Sequence, residues 1–563
     1  MARSGTPGEG TRPRVRHAGQ LGWDDKLYED GPEKGEPEND AGSDAGRQAA
    51  PAEGGRRRGG SKRHGKKSKR RVLRWSASVL ALLILGGAGA GYLYIEHLNG
   101  NIKKADLTLG DKKMADHKAN AAGQTPMNIL LIGSDARDTK ENQKLGGAKD
   151  TFGAPPLADV QMLLHVSADR SNMSVISMPR DTMLKVPKCT NPETKHVYPA
   201  SIGLEITNET LERGGPGCTV ATWYELTGIT IDHFMMIDFS GVISMADAIG
   251  GVPVCVKGNV YSHTSAGKGS GLKLEKGTTK IKGKQALQWL RTRYGFEDGT
   301  DLGRTHAQHM YMNSMVRELR KGTKLTDPGK LMDLAEAATD ALTVDKGEHG
   351  IDSVKKLYDL ANDLQKVPTE RITMTTMPNV YGTGALKERV LPKPGEAEAL
   401  FQMVRDDIPL DGKASKRKKS AAKKPTASPA ETPVTVRNGS GTETEYAAKG
   451  RATTVQQLLV DKGFDQAKVD GQSTEATKRT AILFPTVDME GNAQAVAKAL
   501  GIPLTAVKKS ADVSGITLTV GADWREDGDY PASSAKEKTP DSARALNGED
   551  DKACMDIQPG FGW

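Results

Sequence analysis

The sequence predicts an α/β protein in which short buried strands alternate with helices. Three runs have the length and composition of buried strands, and they lie at residues 128–133, 161–166 and 173–178. Apolar residues recur at helical spacing between Ala307 and Leu319, and again between Ile351 and Leu364. This interleaving of strands and helices favours a layered α/β domain.

A membrane anchor is predicted ahead of this domain. The 21 residues 75–95 carry no charge, and as a helix they would extend about 31 Å, enough to cross a bilayer. A cleaved signal peptide is the alternative, which the 74 mostly hydrophilic residues before the run disfavour. Between Arg56 and Arg74 there are 11 Lys or Arg and no Asp or Glu, and such charge stays on the cytoplasmic side. We expect a single-pass protein of the cell membrane, with a cytoplasmic N-terminus and extracellular C-terminal domains.

The positive charge of the chain is concentrated in its N-terminal arm. Residues 1–74 contain 18 Lys or Arg and 11 Asp or Glu, a net charge of +7, whereas the whole chain of 563 residues carries +8. The rest of the protein is nearly neutral. We therefore predict no nucleic-acid partner, and a membrane surface as the partner of the basic arm.

Composition also predicts the order of domains. Residues 411–433 contain three prolines and no large apolar residue, which is typical of a linker. Strand-like and helix-like runs resume after it and predict a second, smaller α/β domain. The predicted order is a disordered tail at 1–74, a transmembrane helix at 75–95, a stalk at 96–124, the main domain at 125–410, the linker at 411–433, the small domain at 434–524 and a mostly unstructured tail at 525–563.

Four cysteines in a region outside the cytoplasm indicate disulfides rather than a metal site, because no C-x-x-C pair is present. Cys189 and Cys218 flank a segment rich in proline and glycine, and we predict that they pair. Cys255 and Cys554 either pair with each other or stay free, and the sequence does not decide between these alternatives.

Charged residues follow the ends of the predicted strands, where α/β folds place their ligands. Asp135 and Arg137 come directly after the first strand, and Asp159 lies just before the second. The carboxylates of Asp135 and Asp159 are candidates for Mg²⁺, which prefers one or two carboxylates together with phosphate oxygens.

Arginines dominate the remaining candidate positions. Arg180 and Asp181 end the third strand, and further candidates for phosphate binding follow at Arg291, Arg293 and Arg304. Asp301 lies beside these arginines, and Gln308 shares a helix face with Arg304. If the chain is extended at Arg291 and Arg293, both side chains project to one side. A guanidinium group binds phosphate bidentately and stays charged, so the sequence predicts a phosphate site. His165 and His233 are predicted to be structural, and His306 lies among the phosphate candidates.

Five segments in order resemble the LytR-CpsA-Psr family of cell-envelope proteins: NILLIGSDAR, ADVQMLLHVS, VISMPRDTMLKVP, GITIDHFMMIDFSGVISMADAIGGVPVCV and ALQWLRTRYGFEDGTDLGRTHAQ. Residues 434–524 resemble the LytR C-terminal domain that accompanies some members. Two stretches depart from the family pattern, around Asp159, where Pro-Leu-Ala precedes the aspartate, and around Tyr198.

The resemblance implies a phosphotransferase that moves a secondary glycopolymer from a polyprenyl-pyrophosphate carrier to the muramic acid 6-hydroxyl of peptidoglycan. It implies Mg²⁺ at Asp135 and Asp159, pyrophosphate at the arginines and Gln308, and a role for Asp301 in orienting arginines. It also implies a hydrophobic groove for the lipid. Asp135 or Asp181 would assist deprotonation of the hydroxyl. The alternative is a non-catalytic envelope protein that binds polyprenyl-linked glycan or organises wall assembly.

Overall fold

The computed structural model describes residues 66–107, 124–136, 155–192, 194–322, 328–347, 349–387, 389–413, 423–442, 445–471, 476–477, 479–510, 512–531 and 538–563. The residues described between Leu80 and Trp563 belong to one compact unit. Helix α1 extends over Lys66–Asn101. Its segment Leu73–Asn101 is long and apolar enough to cross a membrane, as judged from length and composition.

The main domain contains strands β1–β17 and helices α2–α8, in mixed order. Its strands are β1 Lys103–Asp106, β2 Met127–Ser134, β3 Ala158–Val166, β4 Met173–Met178, β5 Met183–Leu184, β6 Cys189–Thr190, β7 Val197–Tyr198, β8 Glu205–Ile206, β9 His233–Ile237, β10 Val252–Val256, β11 Val260–Tyr261, β12 Lys273–Leu274, β13 Gly277–Ile281, β14 Leu342–Lys346, β15 Ile372–Thr376, β16 Asn379–Tyr381 and β17 Val390–Pro392. Its helices are α2 Thr210–Thr227, α3 Phe239–Ala248, α4 Gly283–Arg291, α5 Asp301–Gly322, α6 Pro328–Ala341, α7 Val354–Gln365 and α8 Glu396–Arg405.

A second, smaller set of elements follows the predicted linker. It comprises β18 Val434–Asn438, α9 Arg451–Asp461, β19 Ala467–Val469, β20 Ala481–Phe484, α10 Glu490–Leu500, β21 Val507–Lys509 and β22 Ile516–Val520. These strands form a five-stranded sheet in the order β19-β18-β22-β20-β21. The last strand of the chain, β23 Leu546–Asn547, belongs to the main sheet instead.

The main sheet has eight strands in the order β1-β14-β9-β2-β3-β4-β15-β23. Its central strands β2 and β4 both pair antiparallel with β3. Alternate residues of β2 face opposite sides of the sheet: Leu130 belongs to the buried apolar cluster that contains Trp223 and Phe401, whereas Ile129 belongs to the cluster that contains Leu360. Helices therefore cover both faces, and the α/β fold class predicted from the sequence is confirmed.

The segment predicted as a stalk contributes to the fold at its N-terminal end. Leu98 and Ile102 are buried, and β1 pairs in parallel with β14 at the edge of the main sheet. The prediction of a stalk from residue 96 was therefore wrong for residues 98–106. Most of the remaining stalk residues lie outside the described part of the chain.

The C-terminal tail is folded against the main domain, in contrast to the mostly unstructured tail that composition predicts. Strand β23 pairs antiparallel with β15, and Met555 is fully buried. These contacts join positions far apart in sequence, which no local pattern reveals. The main domain thus consists of the described residues from 103 to 413 together with residues 538–563.

Both cysteine pairs are disulfides. Cys189 bonds to Cys218, the pair predicted from the sequence. Cys255 bonds to Cys554, which is one of the two alternatives that the sequence left open. The second bond joins β10, which contains Cys255, to the C-terminal tail, 299 positions further along the chain.

Candidate functional site

One edge of the main sheet gathers the charged residues that follow its strands. Because β2 and β4 are parallel to each other and antiparallel to β3, the C-terminal ends of β2 and β4 lie beside the N-terminal end of β3. This places Asp135, Asp159 and Arg180 at the same edge. The register shifts after Gly133, where a Cβ would lie 2.8 Å from the Cβ of Val160, so only glycine fits this approach.

Arg180 and Asp181 begin a network of ion pairs at this edge. Arg180 Nη1 lies 2.7 Å from Asp159 Oδ1, and its Nε lies 3.2 Å from Asp181 Oδ1. The other oxygen of Asp181 accepts a hydrogen bond from Arg293 Nη2 at 2.8 Å. Asp181 therefore joins the end of β4 to the chain that follows α4.

The first turn of α5 completes the network. Arg293 Nη2 lies 3.2 Å from Asp301 Oδ1, and Arg304 Nη2 contacts the same oxygen. Asp301 and Arg304 are both buried, although both are charged. The helix dipole adds partial positive charge at this N-terminus, which favours an anion there.

Three buried polar atoms of the network have no hydrogen-bond partner within the described residues. They are Nε of Arg293, Nε of Arg304 and Oδ2 of Asp301. Buried donors without acceptors cost free energy, so each one calls for a physical reason, of which a bound anion is one. A phosphate group would supply acceptors for both Nε–H groups.

The charges of the network favour an anion. Within the described residues, the connected ion pairs contain the guanidinium groups of Arg180, Arg293, Arg304 and Arg389 and the carboxylates of Asp159, Asp181 and Asp301. These seven groups carry a formal net charge of +1.

Burial and neighbouring charge act in opposite directions on two of these arginines. Burial lowers the pKa of Arg304 and outweighs the nearby carboxylate of Asp301. Burial alone would also lower the pKa of Arg180. The carboxylates of Asp159, Asp181 and Asp301 outweigh this effect, so the pKa of Arg180 is raised. A bound phosphate would favour the charged form of Arg304.

Arg291 and Gln308 contact other parts of the protein beside the network. Helix α4 continues through Arg291, so the condition of an extended chain, under which Arg291 and Arg293 would project to one side, does not hold. The guanidinium carbon of Arg291 lies 4.9 Å from the centre of the Phe239 ring. Gln308 is buried and donates to the carbonyl oxygen of Leu290 at 3.1 Å, which fixes the end of α4. Arg137 lies outside the described residues.

Arg389 was missed by the sequence analysis. Its Nη1 lies 3.7 Å from Asp181 Oδ1, and it reaches the site because Val390 forms a β-bridge with Thr182. Arg389 is 208 positions beyond Asp181 in the numbering, so no local motif links the two.

Asp135 and Asp159, the residues predicted for Mg²⁺, could supply only part of the coordination shell of the ion. Asp135 is buried and accepts a hydrogen bond from the Leu157 N–H at 2.7 Å. Asp159 is partly exposed and uses Oδ1 for Arg180. Among the described residues, no group of three or more His, Cys, Asp or Glu is arranged to hold a metal ion. Two carboxylates fit Mg²⁺ that takes its other ligands from phosphate and water.

The histidines are held by partners. His165 is buried between Asn128 Oδ1 and Asp407 Oδ1, at 2.7 and 3.1 Å. His233 contacts Asp345, and His306 contacts Glu297. The first two arrangements agree with the structural role that the sequence predicts for His165 and His233.

Two family models match this chain. The model described as the LytR_cpsA_psr family matches residues 92–393. The chain belongs to the LytR-CpsA-Psr family. The model described as the LytR cell envelope-related transcriptional attenuator matches residues 431–524 of this family member, close to the predicted small domain.

Relatives of this family member have names connected with the cell wall. The cell wall biosynthesis protein LcpA of Corynebacterium glutamicum is 28% identical over 476 residues, which cover 80% of this chain and 86% of the relative. The polyisoprenyl-teichoic acid–peptidoglycan teichoic acid transferase TagU of Oceanobacillus iheyensis is 25% identical over 272 residues, 48% of this chain and 76% of the relative. The solved structure of a LytR-Csp2A-Psr enzyme from Actinomyces oris is 21% identical, with a TM-score of 0.38, and the match covers 54% of this chain and 95% of that one.

Proposed function

We propose that this protein transfers a secondary cell-wall glycopolymer from a polyprenyl-pyrophosphate carrier to the muramic acid 6-hydroxyl of peptidoglycan. The observation that carries the proposal is the pair of buried Nε–H groups on Arg293 and Arg304 without acceptors, at a helix N-terminus with excess positive charge. Family membership supports the same reaction, because the O. iheyensis relative is named as a transferase of teichoic acid to peptidoglycan.

The arginines bind the two phosphates of the carrier. Arg180, Arg293 and Arg304 approach the site from β4, the chain after α4 and the start of α5, so their guanidinium groups contact the anion from several sides. Asp181 and Asp301 keep these side chains in place through the ion pairs that exist before substrate binds. Donors that are already oriented stabilise the charge that develops during phosphoryl transfer.

The transfer step exchanges one phosphorus–oxygen bond for another. The muramyl hydroxyl oxygen attacks the phosphorus that bears the glycan and forms the new bond. The bond from that phosphorus to the bridging oxygen breaks, and polyprenyl phosphate leaves with the electron pair. The hydroxyl proton passes to a carboxylate.

Asp135 and Asp181 are the two candidates for that proton. Both oxygens of Asp181 contact guanidinium groups, Oδ1 with Arg180 and Oδ2 with Arg293. Asp181 is therefore assigned to holding arginines. When Mg²⁺ is bound, it would neutralise phosphate charge, and Asp135 and Asp159 would hold it.

The membrane anchor places the reaction at the surface where the carrier resides. Helix α1 is followed directly by β1, so the apolar segment Leu73–Asn101 leads into the main sheet. We propose that the segment spans the cell membrane and that the main domain lies outside the cell, consistent with the basic run before residue 75.

Release of polyprenyl phosphate tests the proposal. Purified protein is incubated with a polyprenyl-pyrophosphate-linked glycan, peptidoglycan fragments and Mg²⁺, and both products are measured. We expect release to depend on the peptidoglycan fragment and to fall at least a hundredfold in Arg304→Ala, since a buried charge partner of Asp301 is lost as well as a phosphate contact. Binding of the donor without release would favour the non-catalytic alternative.

A further inference from the structure

We infer that residues 554–558, named here the C-terminal strap, position the proposed pyrophosphate-binding residues Arg293 and Asp301. The inference rests on the proposed function. It concerns the arginine loop, residues 292–300, which carries Arg293 and leads into Asp301 at the start of α5. The strap lies between this loop and β10, and it is paired with both.

On one side, the strap is fixed to β10. Cys554 forms the disulfide with Cys255. The Met555 N–H donates to the Cys255 carbonyl at 2.9 Å, and the Lys257 N–H donates to the Met555 carbonyl at 3.0 Å. Met555 is fully buried in the apolar cluster that contains Phe296. The strap is therefore attached by a covalent bond, main-chain pairing and a buried side chain.

On its other side, the strap pairs with the arginine loop. Phe296 and Ile557 form an antiparallel β-bridge, and the Glu297 N–H donates to the Asp556 carbonyl at 3.0 Å. The Gln558 N–H donates to the Gly295 carbonyl at 3.1 Å. The Gly295 N–H in turn donates to the side-chain oxygen Oε1 of Gln558 at 2.9 Å.

The conformation of the arginine loop explains why it needs this support. Gly295, Glu297 and Gly299 all have positive φ, at 110°, 46° and 77°. Such a conformation is unfavourable for Glu297 and persists only where surrounding contacts hold it. A Cβ at Gly299 would lie 2.5 Å from the side-chain nitrogen of Gln558, so the loop and strap are in close contact there as well.

The strap thus acts on substrate through the loop. Arg293 is two residues before Gly295, and its guanidinium contacts both Asp181 and Asp301. If the loop relaxes, Arg293 and the start of α5 lose their alignment, although every ion-pairing side chain is still present. Gln558 is the positioning residue with the clearest test, because its side chain accepts a hydrogen bond from the loop.

The test compares Gln558→Met, which keeps the length of the side chain but removes the acceptor, with the exposed tail variant Glu549→Gln. The probe is geranylgeranyl diphosphate with Mg²⁺, and its dissociation constant is measured on the full chain. We expect binding about fivefold weaker in Gln558→Met, the effect of one lost hydrogen bond, and unchanged binding in Glu549→Gln. Equal binding by the wild type and Gln558→Met would overturn the inference.

A double-mutant cycle distinguishes positioning from general stability. If Gln558 acts through Arg293, the effect of Gln558→Met on binding disappears when Arg293 is already alanine, and it persists in the Arg437→Ala background of the small domain. The paired variant Cys255→Ser/Cys554→Ser should weaken binding in the same direction. Additive effects of Gln558→Met and Arg293→Ala would contradict the inference while leaving the proposed function intact. Equal binding of the diphosphate by the wild type and by Arg304→Ala would instead refute both the inference and the proposed function.

Discussion

The hydroxyl of Thr539 donates a hydrogen bond to the Leu410 carbonyl at 2.6 Å, although the two residues are 129 positions apart. The chain therefore leaves the main domain and returns to it at neighbouring points. Everything between is an insertion that contains the small domain, and the C-terminal tail belongs to the main domain. A cut after residue 410 would remove the C-terminal strap together with the small domain.

Excision of the insertion should preserve transfer. Joining residue 413 to residue 538 through a short Gly-Ser linker removes the small domain but keeps β23, the Cys255–Cys554 disulfide and the strap. We expect polyprenyl phosphate release within a few-fold of the full chain, because no residue of the proposed site lies in the insertion. The measurement is the rate of release with the same donor and acceptor.

The matched control is truncation after residue 413. It removes the same domain and also the tail, so the arginine loop loses its pairing partner. We expect slower release and a lower melting temperature than in the excised protein. Equal rates in the two shortened proteins would show that the tail is dispensable, and a low rate in both would show that the small domain takes part.

Replacement of Arg293 should weaken binding of a diphosphate. Each charge-assisted hydrogen bond contributes about 1.5–3 kcal/mol, so Arg293→Ala should lower affinity for geranylgeranyl diphosphate at least tenfold. Arg437→Ala is the matched control, because Arg437 pairs with Asp470 at 2.8 Å and its side chain is 35% exposed, as is that of Arg293. Similar affinities of the two variants would place the site elsewhere.

His309 should make the protein less stable as the pH falls. It is buried on α5 with Nε2 2.6 Å from Ser177 Oγ, and burial lowers its pKa from 6.5 to about 3. Between these values the unfolded chain binds a proton that the folded protein does not, so the free energy of unfolding falls as the pH drops from about 6.5 toward 3. Urea unfolding is measured at pH 7 and at pH 5. Between these two pH values, the free energy of unfolding should fall less in His309→Gln than in the wild type. An equal loss would mean that His309 does not contribute.

The proposed topology predicts which segments a protease reaches. Protease added to intact cells from which the wall has been removed should digest the domains after α1 and spare residues 1–74, since the basic run lies on the cytoplasmic side. Antibodies against the two ends of the chain distinguish the fragments. Protection of the C-terminal domains with digestion of the N-terminal tail would reverse the orientation.

Local sequence patterns predicted the strands at the sheet centre well. The bounds of β4 agree with the predicted run at residues 173–178, and β2 extends the predicted run by one residue at each end. Those runs are apolar, short and followed by turn residues or glycine, so the physical signal is contained in the segment itself. The positions of Asp135, Asp159 and Arg180 in the candidate site were predicted from the ends of the same strands.

The rest of the site depends on contacts between distant segments. Arg291 and Arg293 look equivalent in sequence, but α4 ends between them, and Arg293 contacts Asp181 while Arg291 lies against Phe239. Arg389 reaches the site through a β-bridge, whereas Gln558 contacts the arginine loop at Gly295 through the pairing of the strap. Neither has a local pattern that distinguishes it from an ordinary surface residue.

The fate of the glycan-linked phosphorus tests the central claim most directly. A polyprenyl-pyrophosphate-linked glycan labelled at that phosphorus is incubated with the protein, Mg²⁺ and peptidoglycan fragments. The account predicts that the label appears in a muramic acid 6-phosphodiester and that unlabelled polyprenyl phosphate is released in equal amount. Label that stays on the lipid, or that is released as free phosphorylated glycan without joining peptidoglycan, would contradict it.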